Sequence, residues 1–118
     1  MNREQDALCV ADLNFNEDGL LAAIIQDVDS KEVLMMAWMN LEALQKSVES
    51  GFVWLWSRSR QSLWQKGESS GNIQTIKSIA YDCDADTLLL QVIQSGDGVA
   101  CHTGARTCFY RKLEEYDG

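Results

Sequence analysis

Leu20-Leu21-Ala22-Ala23-Ile24-Ile25-Gln26-Asp27, Val28-Asp29-Ser30-Lys31 and Glu32-Val33-Leu34-Met35-Met36-Ala37-Trp38 follow one another without interruption. Two apolar runs of strand length divided by a short polar break predict a β-hairpin. Beyond it, Asn40 stands where a helix N-cap belongs and Gly51 where a helix ends, which predicts a helix from Leu41 to about Ser50. Leu41, Leu44 and Val48, spaced i, i+3, i+7, are its expected buried face. Phe52–Ser57 alternates as a strand with Phe52, Trp54 and Trp56 on one side. Periodicity assigns Trp38, Trp54 and Trp56 to the core and leaves Trp64 open. Ile73–Tyr81 and Thr87–Ile93 read as strands, Phe109–Leu113 as a last strand and Glu114–Gly118 as a polar tail. Several short strands with one principal helix predict an α+β fold with a mainly antiparallel sheet.

The length, 118 residues, fits one domain, residues 1–118, with a core modest enough that a metal or a second subunit would help it. With 46% hydrophobic and 24% charged residues the chain reads as globular rather than disordered. No apolar run nears the roughly 20 residues that span a bilayer, so no membrane role is expected. The polar start, Met-Asn-Arg-Glu-Gln-Asp, lacks the apolar stretch of a signal peptide, so a cytoplasmic location is expected. A net charge of −8 argues against nucleic acid as a partner. The charge is uneven: residues 1–57 sum to −7, whereas residues 58–81 sum to +3. A local basic stretch on an acidic chain suits a small anionic ligand, although charge runs are more often solvated surface. With no proline anywhere, turns fall to Gly, Asn, Asp and Ser.

Candidate chemistry concentrates in Asp82-Cys83-Asp84-Ala85-Asp86 and in Gly98-Val99-Ala100-Cys101-His102-Thr103-Gly104-Ala105-Arg106-Thr107-Cys108. If the first segment is extended, Asp82, Asp84 and Asp86 share one side and Cys83 the other. Crowded carboxylates repel unless a hard cation or basic groups lie between them, and oxygen-only ligation of that kind suits Mg²⁺. In a reducing compartment Cys83, Cys101 and Cys108 suit Zn²⁺, and three ligands plus water is the open arrangement of a catalytic zinc. Cys9 lies apart and reads as a bystander. His102, the only histidine, is either a fourth ligand or a proton-transfer group. Each feature alone has a plainer reading: solvated loop, buried small thiols, structural histidine. Their overlap between residues 82 and 108 favours one polar site. Upstream, Ser57-Arg58-Ser59-Arg60-Gln61-Ser62-Leu63-Trp64-Gln65-Lys66-Gly67-Glu68-Ser69-Ser70-Gly71-Asn72 mixes cations, hydroxyls and glycines in a way that suits phosphate.

Ser-Arg-Ser-Arg, Leu-Trp-Gln-Lys-Gly-Glu-Ser-Ser-Gly, Asp-Cys-Asp-Ala-Asp and Ala-Cys-His-Thr-Gly, in that order, resemble the phosphoribosyl-AMP cyclohydrolase family, from about Leu20 to Leu113. The resemblance implies hydrolysis of the N1–C6 bond of N1-(5-phosphoribosyl)-AMP in histidine biosynthesis. It implies an intertwined homodimer whose zinc site is shared between subunits, Cys83 from one and Cys101 and Cys108 from the other. Mg²⁺ falls to Asp82, Asp84 and Asp86. The interval from Cys83 to Cys101 is about two residues longer than the family's pattern, and Gly96-Asp97-Gly98 is the expected place for the extra turn.

On this resemblance Zn²⁺ is the cofactor that activates water, with His102 as general base because three thiolates weaken the metal as a Lewis acid. Arg58, Arg60, Lys66 and Ser70 are the expected ligands of substrate phosphate. Two other readings compete. One is a non-catalytic zinc module with a closed four-ligand site. The other is a zinc deaminase, whose H-x-E…P-C-x-x-C signature is absent.

Overall fold

The computed structural model describes residues 10–114; Cys9, the amino-terminal stretch and all but Glu114 of the expected polar tail lie outside the described residues. Six strands and one α-helix follow a short 3-10 turn at Val10–Asp12. The hairpin forms as read, β1 (Leu21–Asp27) pairing antiparallel with β2 (Val33–Met39). Along β1 alternate side chains are buried, so Leu21, Ala23 and Ile25 point into the core. Helix α1 (Leu41–Ser50) follows, with β3 (Trp54–Ser57) and β4 (Ser62–Gln65) as a separate two-stranded ribbon. β5 (Gln74–Tyr81) and β6 (Thr87–Gln94) complete a four-stranded sheet in the order β2-β1-β6-β5. The fold is α+β with a mostly antiparallel sheet, but its central pair, β1 with β6, is parallel.

The helix caps are those expected. The Asn40 side chain accepts from the Ala43 N–H at 2.8 Å, and Gly51 takes the left-handed conformation, φ 79°, while its N–H donates to Ser47 O. The buried face is the one expected only at Leu44. Ala43, Leu44 and Ser47 face the core, while Leu41 is 44% and Val48 59% exposed. Ser47 is admissible there because its hydroxyl donates to Ala43 O at 2.8 Å and accepts from the Trp54 N–H at 2.9 Å, leaving no bare polar atom. The same hydrogen bonds tie α1 to β3.

The period of β3 is right and its phase reversed: Val53 and Leu55 are fully buried, and the tryptophans lie half-exposed on the other side. The ring faces are used by cations instead, Lys46 over Trp54 at 5.1 Å and Arg58 over Trp38 at 4.9 Å. Trp54 and Trp64 pack against the core from its rim. Phe109–Leu113 forms no strand. Its last backbone tie to the sheet is the Cys108 N–H donating to Leu34 O at 2.7 Å, after which Phe109, Tyr110 and Leu113 are exposed.

Arg106 fastens the loop after β6 to the β1–β2 turn, its Nε 2.7 Å from Glu32 Oε1 and its Nη2 3.4 Å from Asp27 Oδ1. Asp27 is nearly buried. The Ser30 N–H at 2.8 Å, assisted by the Arg106 guanidinium and opposed by burial, holds its carboxyl below the usual value. A depressed carboxyl stabilises the fold fully above its unfolded value of about 4 and ceases to do so as pH falls through the lower folded value. Asp27→Asn should therefore cost about 1 kcal/mol at pH 7, a gap that narrows below about pH 4. Urea denaturation at pH 7 and pH 3 measures it, and an equal gap at both values would refute the assignment.

Candidate active site

The β4 strand, absent from the sequence reading, sets one wall of the principal cavity. It pairs in register with β3, Leu55 opposite Trp64, and the chain then turns back through residues 66–72. That turn depends on Gly67, at φ 83°, because a Cβ there would run into the backbone of Asn72 and Ile73. Asn72 is nearly buried and stitches two turns together. Its Oδ1 accepts from the Asp97 N–H at 2.8 Å, its carbonyl accepts from Gln94 Nε2 at 2.7 Å, and its N–H donates to Ser70 Oγ at 3.2 Å. The expected turn at Gly96-Asp97-Gly98 is present, with positive φ at both glycines. Gly67→Ala should cost at least about 2 kcal/mol, whereas Gly71→Ala, at the same φ but with open space beside it, should cost only about 1 kcal/mol. Chemical denaturation of the two variants separates backbone strain from collision, and equal losses would show that the contact with Asn72 is unimportant.

Between this turn and residues 97–104 lies a cavity of about 460 Å³. Of the residues singled out from the sequence, Arg60, Lys66, Ser70, Cys101 and His102 line it. So do Trp64, Asn72 and Asp97, none of them an expected ligand, although Trp64 and Asn72 belong to the segment suited to phosphate and Asp97 to the expected Gly96-Asp97-Gly98 turn. Cys101 is 9% exposed and lies beside Cys108. The Thr103 hydroxyl donates to the Cys101 sulfur at 3.0 Å and, with lesser help from Cys108 and Lys66, draws this thiol below its ordinary value against burial. Burial pushes Cys108 the other way, and its bond to Cys101 adds to that. Lys66 directs its ammonium at Ala100 O, 2.6 Å away, and burial depresses it against the pull of Cys108 and Cys101.

The remaining expected residues lie elsewhere. Arg58 lines a separate recess of about 330 Å³ with Asn40, Trp56 and Gln61. Asp82, Asp84 and Asp86 occupy the β5–β6 turn, where one oxygen from each falls within 4.8 Å of the others. They meet because the turn curls, with the Ala85 N–H donating to Asp82 O and Ala85 at φ 62°, and not by alternation along a strand. Hydrogen bonds with Asp86 and Asp82, then their charges, push the Asp84 carboxyl up. Asp82 is opposed by desolvation yet drawn down, first by the Asp86 N–H. Such a group could hold a metal ion, which would relieve the crowding. Cys83 is exposed on the same turn, and among the described residues of one chain it does not gather with Cys101 and Cys108 into a three-ligand group.

A small α+β chain with thiols, an ammonium and an imidazole converging beside one open polar cavity belongs to the class of small-molecule enzymes. Residues 35–110 match the family Phosphoribosyl-AMP cyclohydrolase. The chain is 57% identical over 104 residues to the Phosphoribosyl-AMP cyclohydrolase of Marinobacter nauticus, covering 88% of this chain and 75% of that one. It is 54% identical over 100 residues to the protein of the same name from Neisseria gonorrhoeae, covering 85% and 76%. To the Histidine biosynthesis bifunctional protein HisIE of Thermosynechococcus vestitus it is 56% identical over 105 residues, 89% of this chain but 49%, about half, of that one. The chain belongs to the phosphoribosyl-AMP cyclohydrolase family.

Proposed function

We propose that the protein hydrolyses N1-(5-phosphoribosyl)-AMP in histidine biosynthesis, opening the adenine ring at N1–C6. Water adds its oxygen to C6, the N1–C6 bond breaks, N1 takes a proton, and C6 with its exocyclic nitrogen becomes a carboxamide. The observation that carries this reading is the cavity on which Cys101, His102, Lys66, Arg60 and Ser70 converge.

The donor set fits zinc: two adjoining sulfurs, one of them already an acceptor, make a soft site whose thiols would release protons to solvent on binding the metal. Zinc held by Cys101, Cys108 and a third thiol supplies the Lewis acidity that makes water nucleophilic near neutral pH. The third thiol is Cys83 of a second copy, as the family resemblance implies; it is exposed, and among the described residues of one chain it forms no three-ligand group with the pair. Val33 and Met36 on β2, with Phe109 and Tyr110 beyond Cys108, are exposed apolar surface that a homodimer would cover. His102, next in sequence to Cys101 and on the cavity wall, takes the proton from the attacking water and returns it to N1. Arg60 and Ser70 hold one substrate phosphate; Arg58, stacked on Trp38 beside the second recess, is placed for the other. Hard oxygen donors at Asp82, Asp84 and Asp86 suit Mg²⁺. A cytoplasmic location suits thiols that must stay reduced to hold a metal; no described helix is long and apolar enough to cross a membrane.

Purified protein given phosphoribosyl-AMP should form the ring-opened product, followed by its absorbance. Activity should stop with a chelator and return with zinc. Zinc-replete protein that leaves the substrate intact, or that releases ammonia, would refute the reading.

A further inference from the structure

Lys66 sits within a stretch composed for phosphate, yet its ammonium is not free in the cavity. The backbone N–H of Lys66 donates to Val53 O at 2.9 Å and so roots the residue against the fully buried core. Gly67, next in the chain, is locked against Asn72, which fixes where the Lys66 stem starts. From there the ammonium passes 5.7 Å from the centre of the Trp64 ring and donates at 2.6 Å to the carbonyl of Ala100, the residue before Cys101. The half-buried ammonium therefore stands one residue from Cys101, whose sulfur lies beside that of Cys108.

We infer that Lys66 is the countercharge of the thiolate pair, a positioning residue for the metal site and not a ligand of substrate phosphate. The inference rests on the zinc reading above. Three thiolates around a divalent cation leave a net charge of −1 in a partly buried place, and such a charge is costly unless compensated. One ammonium held beside two of the sulfurs returns the group to neutrality. By drawing electron density away from the sulfurs it also limits how far they quench the metal's acidity. Its bond to Ala100 O sets the peptide that presents Cys101, as outer partners of metal ligands commonly do.

The test compares wild type, Lys66→Met and Lys66→Arg in the full chain. Zinc affinity is read by competition with a chromophoric chelator, and the sulfur-to-metal charge-transfer band is read after Co²⁺ substitution. Lys66→Met should lose about 10- to 100-fold in zinc affinity and shift the Co²⁺ band. At saturating zinc its KM should stay close to that of wild type while kcat falls. Lys66→Arg, which keeps the charge, should recover most of the affinity. Wild-type affinity and an unmoved band in Lys66→Met, with a raised KM, would overturn the inference and return Lys66 to phosphate. If Lys66→Met does not fold, circular dichroism will reveal it and Lys66→Arg decides: its affinity and band must stay near wild type, and a loss as large as that expected of the methionine variant would refute a charge role. A wild-type protein that binds no zinc would instead bring down the zinc reading itself.

Discussion

Cys101→Ala is expected to lose zinc and turnover together, with little change in folding. The backbone around Cys101 is held without its sulfur: the Cys101 N–H donates to Ala105 O at 3.1 Å, the Gly104 N–H to Cys101 O at 3.0 Å, and the Ala100 N–H to Arg106 O at 3.0 Å. Removing one sulfur atom leaves those bonds intact, so the loop should keep its path. On the proposed zinc reading the metal would lose a direct ligand, and its affinity should fall further than the about 10- to 100-fold that outer partners carry. Metal analysis after gel filtration and an absorbance assay of turnover measure the two losses on one sample. A zinc-free Cys101→Ala protein that turns over at the wild-type rate would end the proposed mechanism.

His102→Ala is expected to separate the two properties that Cys101→Ala removes together. The imidazole is exposed on the cavity wall and its neighbour, not the histidine itself, carries the thiol. A positioned general base contributes about 10²- to 10⁴-fold, and kcat should fall by that much while zinc content stays near wild type. Equal losses in zinc and in kcat would make His102 a ligand or a structural residue.

What the sequence disclosed about the fold was local. The β1–β2 hairpin and both caps of α1 are legible because a few neighbouring residues decide them: a polar break between apolar runs, an asparagine, a glycine. Burial phase was not legible. Leu41 and Val48 carry the hydrophobic signal, but Ser47 satisfies its hydroxyl within the helix and against β3, and so takes the core position. In β3 the tryptophans outweigh Val53 and Leu55 in any hydrophobicity pattern, yet the smaller side chains fit the interior while Trp54 and Trp56 lie half-exposed, Trp54 beneath the Lys46 ammonium. β4 was hidden because Ser62–Gln65 is only four residues long, its apolar Leu63 and Trp64 adjacent rather than alternating, and its pairing with β3 is a matter of register.

For the site, residue identity was easier to read than residue placement. Asp82, Asp84 and Asp86 do come together, through a turn that their spacing does not reveal. Arg58 and Arg60, two positions apart, part company because both sit on the β3–β4 turn, where the chain reverses and Gln61 takes φ 51°; one meets Trp38 and the other the main cavity. The role of Asn72 was invisible because both turns that it joins are needed to see it.

The parallel pairing of β1 with β6 also bears on how the protein is made. Residue 22 lies opposite residue 87, so the strand at the middle of the sheet acquires its second neighbour only after most of the chain exists. Long-range pairings of this kind carry a loop-closure cost before any contact repays it, and they slow folding toward the millisecond-to-second range. On the ribosome the hairpin will emerge early with one flank uncovered and must wait there, sticky and exposed to chaperones, until the last strand leaves the exit tunnel.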